Sequence, residues 1–109
     1  MEKNLSYYEN LLPAVIHVQI HQEDDGTFWA KITDYDGCYT QGNTFGDLLV
    51  MVSDAVFTVL EIPEELRVFL PHYLPKKLVE ELKRHELQKQ FNEFIAEQIK
   101  GKQELQFTK

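Results

Sequence analysis

The segment Ala14–His21 constrains the fold of this chain most, because its side chains alternate between two kinds. Every second residue is apolar and falls on one side of an extended chain: Ala14, Ile16, Val18 and Ile20. Val15, His17, Gln19 and His21 fall on the other side. A repeat of two is typical of a strand with one buried face. Residues 23–26 follow with the sequence Glu-Asp-Asp-Gly, whose Asp-Gly pair is the strongest short hairpin signal. The sequence therefore predicts a strand that turns back on itself.

Two further strands are expected after this turn. Thr27–Asp34 is rich in aromatic and β-branched residues, which favours a second strand. Asp36 and Gly37 form another turn signal, and Cys38–Gln41 reads as a short third strand before Gly42 and Asn43. The three segments predict an antiparallel meander. We expect Trp29, in the second strand, to be buried.

A helix is predicted directly after the meander. Thr44 is followed three residues later by Asp47, which resembles a helix-capping box. Apolar residues then recur at helical spacing: Phe45, Leu48, Leu49, Val52, Val56, Val59 and Leu60. Val50 and Phe57 add a second apolar stripe, so this helix is expected to be covered on two sides. The sheet would provide one cover, and the C-terminal half or a second chain the other.

The C-terminal half is predicted to be largely helical. Ile62 and Pro63 end the first long helix, and Pro75 opens another helical stretch. The apolar stripe of that stretch shifts by five positions between Leu82 and Leu87, which favours two helices, with Asn92 as a candidate cap of the second. The sequence thus divides into an α+β part, residues 1–61, and a helical part, residues 62–109.

The charges are distributed unevenly along the chain. Residues 1–60 contain two basic and nine acidic side chains, whereas residues 61–109 contain nine of each. An acidic surface repels phosphate backbones and attracts basic proteins. The longest apolar run, 48–60, is interrupted by Asp54 and is too short to span a bilayer. No apolar signal core is found near the first residue, so we expect a cytoplasmic protein without membrane contact.

The candidate catalytic side chains do not converge. Asp24 and Asp25 lie at one end of the predicted second strand, and Asp34 and Asp36 lie about 25 Å away at the other. Two-metal catalysis needs ions about 3.5–4 Å apart, which these acids cannot hold together within one chain. The single cysteine, Cys38, has no visible activating base. The sequence therefore predicts no enzyme, no metal site and no cofactor.

An ordered motif runs through the meander and into the helix. It reads Asp24-Asp25-Gly26-Thr27-Phe28-Trp29-Ala30, then Asp34-Tyr35-Asp36-Gly37-Cys38-Tyr39-Thr40-Gln41-Gly42-Asn43-Thr44. This pattern resembles the HicB-like antitoxin family, with Asn43 where an Asp is usual, and the resemblance covers about residues 14–60. It implies a partial ribonuclease-H-like α+β domain, with an antiparallel sheet of three to four strands and one packed helix. The fourth strand of the family could come from Leu66–Leu70 or from Leu105–Thr108. It also implies a partner, a small basic HicA-like ribonuclease toxin, which the protein would neutralise.

The resemblance suggests which residues would contact partners. The acidic residues of the two turns are the candidate toxin-binding residues: Glu23, Asp24, Asp25, Asp34 and Asp36. Many members of the family also repress their own operon through a C-terminal DNA-binding module. A ribbon–helix–helix arrangement starting at Leu66–Leu70 would make Arg67 and Phe69 the DNA-binding residues. The alternatives are helices used only for dimerisation or toxin contact, and a solitary oligomeric HicB-like protein or DNA-binding regulator without a toxin.

Overall fold

The fold is built around one five-stranded antiparallel sheet. The computed structural model describes residues 4–81, 95 and 102–109. Its elements follow in the order α1 (Leu5–Leu11), β1 (Val15–Gln22), β2 (Phe28–Ile32), β3 (Tyr39–Gly42), α2 (Phe45–Val59), α3 (Glu64–Arg67), β4 (Leu74–Pro75), α4 (Lys76–Glu81) and β5 (Lys102–Thr108). The strands are arranged as β3-β2-β1-β5-β4. The predicted α+β class is confirmed, and the sheet has five strands because both β4 and β5 join the meander.

The middle of the sheet is β1, the strand that the alternating sequence predicts. It pairs with β2 on one side, where Val18 lies opposite Ile32, and with β5 on the other, where Val18 lies opposite Leu105. The alternation appears directly as burial, since Ile16, Val18 and Ile20 are fully buried. A strand with two hydrogen-bonded neighbours and one buried face has a strongly specified register.

The core lies between the inner face of the sheet and α2. The helix packs over β2 and β3, and it buries Leu48, Leu49, Val52 and Val56. Phe28 also points into this core and meets Phe45 edge-on at a ring-centroid distance of 5.6 Å. The burial predicted for Trp29 is wrong. Its side chain is partly exposed on the outer face, because neighbouring strand residues point to opposite sides.

Local hydrogen bonds determine where α2 begins and ends. At the first turn, the Asp47 N–H donates to the Thr44 hydroxyl oxygen at 3.0 Å, as the capping pattern predicts. At the other end, Glu61 adopts a left-handed backbone conformation with a φ of 56°. This lets the Ile62 N–H donate back to the Phe57 carbonyl oxygen at 3.0 Å, a helix-ending pattern that satisfies an otherwise free carbonyl.

The C-terminal half contributes both helices and strands. Leu66–Leu70 is not a strand, since α3 occupies its first residues and turn hydrogen bonds follow from Phe69 and Leu70. The other candidate, Leu105–Thr108, belongs to β5 and lies against β1. One sheet therefore combines β1, β2 and β3, from residues 1–61, with β4 and β5, from residues 62–109. As predicted, α4 starts directly after Pro75, whereas the apolar shift between Leu82 and Leu87 and the candidate cap at Asn92 lie outside the described residues.

Candidate functional site

The turn between β1 and β2 carries the first group of predicted toxin-binding acids, Glu23, Asp24 and Asp25, all exposed. Asp25 shapes this turn, because its Oδ1 accepts hydrogen bonds from the Thr27 N–H at 3.0 Å and the Thr27 hydroxyl at 2.6 Å. These bonds lower the pKa of Asp25. Gly26 has a φ of 90°, which suits a residue without a Cβ. The turn thus holds a fixed shape with its carboxylates facing solvent.

The turn between β2 and β3 carries the second group, Asp34 and Asp36. Asp34 is tied back to β1, because its carboxylate accepts from the His17 backbone N–H at 2.7 Å and lies 2.9 Å from the His17 Nδ1. The Thr33 N–H also donates to the His17 carbonyl oxygen at 2.9 Å. These contacts fix the turn against the central strand.

The five predicted toxin-binding acids therefore differ in how far they serve the fold. The carboxylates of Asp25 and Asp34 accept hydrogen bonds that stabilise the turns in which they lie. A carboxylate oxygen of Glu23 lies 3.9 Å from the His21 Nε2, beyond hydrogen-bond distance. In the described ranges, Asp24 and Asp36 have no hydrogen bond or ion pair, so their charges are directed only to solvent. These two are the carboxylates most available to a partner.

The two groups stay apart, at opposite ends of β2. Five strand residues span about 17 Å, so no single small ligand could bridge them. Among the residues that the structure describes, no group of three or more His, Cys, Asp or Glu side chains could hold a metal ion. The two acidic turns therefore do not form one compact site.

An aromatic surface connects the two acidic turns. On the outer face of the sheet, the His21 ring lies 5.5 Å from the Trp29 ring, and the Lys31 ammonium lies 5.5 Å from the Tyr39 ring. An open cavity of about 480 Å³ is lined here by Trp29, Tyr39, Thr40 and Gln41. This surface was not predicted from the sequence, although the alternation within the strands places His21 and Trp29 away from the core.

The two predicted DNA-binding residues are placed differently. Arg67 is directed inward, where its Nη1 donates to an Asp54 carboxylate oxygen at 2.8 Å and its Nε donates to the Ile62 carbonyl oxygen at 3.0 Å. Phe69 is 65% exposed. Since Leu66–Leu70 is not a strand, these two residues do not lie on a DNA-binding ribbon.

Cys38 is a small core residue with a buried side chain. Burial raises the pKa of its thiol, which disfavours the thiolate needed for nucleophilic chemistry. No helix within the described ranges is long and apolar enough to cross a membrane.

Comparisons with models of protein families, with curated proteins and with solved structures find no significant match to this chain.

Proposed function

We propose that this protein is a HicB-like antitoxin, which binds and neutralises a small basic HicA-like ribonuclease. The observation that supports this proposal is the surface along β2, where an aromatic outer face separates two turns with five exposed carboxylates. A basic protein that binds RNA carries a complementary surface, because it must attract phosphates.

The two parts of this surface would contribute differently to binding. The carboxylates, Asp24 and Asp36 above all, would attract a basic partner over a distance and speed its association. Trp29 would supply aromatic contact area at the centre, where interfaces concentrate their binding energy. Covering the cationic RNA-binding surface of the toxin would block access of RNA without any chemical step.

The experiment uses the ribonuclease encoded beside the gene of this protein. Binding is measured by calorimetry and RNA cleavage by gel, for the wild type and for a variant with Asp24→Lys and Asp36→Lys. Each substitution reverses one charge, so we expect at least a tenfold weaker affinity and restored cleavage. The matched control reverses Glu64 and Glu65, two exposed acids on α3, and should bind like the wild type.

The dependence of the affinity on salt concentration provides a second test. A contact built on charge loses affinity as the salt concentration rises, and the doubly reversed variant should show a shallower dependence. A wild-type protein that neither binds the neighbouring ribonuclease nor inhibits it would contradict the proposal and favour a solitary HicB-like protein. Equal loss of affinity in the α3 control would show that only net charge matters.

A further inference from the structure

One edge of the sheet is β3, which has a neighbouring strand on one side only in the described strand order. The Ile32 N–H donates to the Cys38 carbonyl oxygen at 2.9 Å, so the backbone of Cys38 faces β2 just before β3 begins. Hydrogen bonding alternates along an antiparallel strand, so Thr40 also faces β2, whereas the N–H and C=O groups of Tyr39 and Gln41 point away from the sheet. An edge of this kind is a template for another strand.

A groove of mixed polarity runs beside this edge, between β3 and α2. It has a volume of about 300 Å³, and its lining includes Tyr39, Met51 and Val59. These three side chains are 60%, 40% and 42% exposed. Met51 and Val59 of α2 are therefore exposed beside the outward-facing backbone groups of β3.

The groove is electrically neutral, although the chain as a whole carries a net charge of −7. The only carboxylate in its lining is that of Asp54, and Arg67 lies 2.8 Å from it. A basic partner would find no unpaired acid here, whereas two copies of this face could meet without opposing uncompensated like charges. The charge pattern thus favours a second copy of the same chain.

We propose that two copies of this protein pair through β3, in antiparallel register about a twofold axis at Thr40. In this register, Tyr39 of one copy forms two backbone hydrogen bonds with Gln41 of the other, and the symmetric pair repeats them. All outward groups of both residues are then satisfied. A register centred on Tyr39 would instead place Gln41 opposite Gly37, which has a φ of 67° and is not extended. The two α2 helices would face each other across the axis and cover the groove. This proposal does not depend on the identity of any toxin.

The first test is the mass in solution, measured by sedimentation over a concentration series. We expect the wild type to rise from 12.8 kDa towards twice that mass. Gln41→Pro should remain monomeric, because proline removes an outward N–H that the monomer does not use. Gln41→Ala keeps that N–H and should dimerise like the wild type. Circular dichroism verifies that both variants are folded.

The second test reports the register. Residues directly opposite each other at a non-hydrogen-bonded position have Cα atoms about 4.5 Å apart, within the range that a disulfide spans. In a Cys38→Ala background, Thr40→Cys should therefore oxidise to a covalent dimer. Gln106→Cys, exposed on β5, serves as the control and should stay uncrosslinked.

Three results would overturn the proposal. The first is a monomer at every concentration. The second is a dimer that Gln41→Pro leaves intact and Thr40→Cys does not crosslink, since it would use another surface. The third is a monomeric wild type whose binding to the ribonuclease is abolished by Gln41→Pro, since the edge would then belong to that partner. The antitoxin proposal fails on different evidence, namely absent inhibition, so the two failures are distinguishable.

Discussion

The hydroxyl group of Tyr73 donates a hydrogen bond of 2.6 Å to the carbonyl oxygen of Pro13, shortly before β1 begins. The backbone N–H of Tyr73 donates to the hydroxyl oxygen of Ser53, on α2, at 2.8 Å. Both Tyr73 and Ser53 are fully buried. One residue thus connects the entrance of the central strand with the main helix, through its side-chain hydroxyl and its backbone N–H.

Replacing Tyr73 with Phe should destabilise the protein at neutral pH. The Pro13 carbonyl oxygen would lose its partner, at a cost of about 1–2 kcal/mol. Urea unfolding followed by circular dichroism measures this change. Tyr39→Phe, at an exposed position, is the control and should alter the free energy of unfolding by less than about 0.5 kcal/mol. Equal effects of the two substitutions would contradict the role given to Tyr73.

The same residue predicts how stability depends on alkaline pH. Burial, and second the charge of nearby Tyr35, raise the pKa of Tyr73 well above the ordinary value of 10.0. Above pH 10, Tyr73 loses its proton in the unfolded chain but keeps it in the native state. The contribution of Tyr73 to the free energy of unfolding is therefore fully present below pH 10 and decreases as the pH rises. The slope from this group approaches about 1.4 kcal/mol per pH unit. Unfolding of Tyr73→Phe between pH 9 and 11 should show a flatter slope than wild type; parallel slopes would refute the assignment.

Glu61→Gly is expected to stabilise the protein. Glu61 holds a positive φ of 56°, where a Cβ costs about 1–2 kcal/mol and glycine pays no such penalty. Glycine also gives the unfolded chain more freedom, so the net gain should be about 0.5–1 kcal/mol. Thermal unfolding of Glu61→Ala provides the control, because alanine keeps the Cβ and should bring no gain. A similar gain from alanine would point to removal of charge instead.

Leu49→Ala should cost more stability than Trp29→Ala, although tryptophan is the larger residue. Leu49 lies on the buried face of α2, and large core deletions cost about 2–5 kcal/mol. Trp29 lies on the partly exposed outer face, so its loss should cost about 1–2 kcal/mol. Denaturant titrations of both variants test the order. A larger loss from Trp29→Ala would mean that the outer face is covered.

The local elements of this fold could be predicted from the sequence because their signals are local. The alternation in Ala14–His21, the Asp-Gly turn and the Thr44 cap each act within a few residues. The position of β5 could not be fixed in this way. His17 pairs with Gln106, a partner far along the chain, and two apolar segments were equally compatible with a fourth strand. The two-residue strand β4 carries too little pattern to be recognised.

In the candidate site too, local features could be predicted from the sequence, whereas contacts between distant residues could not. The acidic turns could be found because Asp and Gly mark turns, and exposure follows from that position. What the sequence could not show is which acids also serve the fold. The bond from the His17 N–H to Asp34 depends on how β1 and the second turn meet in space. The inward direction of Arg67 likewise depends on α3 packing beside Asp54.

Asp34→Ala tests whether this acid holds its turn as well as facing solvent. The substitution removes an acceptor that the His17 N–H reaches at 2.7 Å and that lies 2.9 Å from the His17 Nδ1. We expect a loss of about 1 kcal/mol, because the site is exposed and water replaces part of the bonding. Asp34→Asn keeps one acceptor oxygen and should lose less. Asp36→Ala is the matched control on the same turn, and should change the free energy of unfolding by less than about 0.5 kcal/mol.

Hydrogen exchange of the His17 amide tests the same contact locally. Exchange of this amide should be faster in Asp34→Ala than in the wild type, and unchanged in Asp36→Ala. Unchanged exchange in Asp34→Ala would show that the strand ladder, rather than the carboxylate, protects this amide, and Asp34 would then join Asp24 and Asp36 as an acid free for a partner.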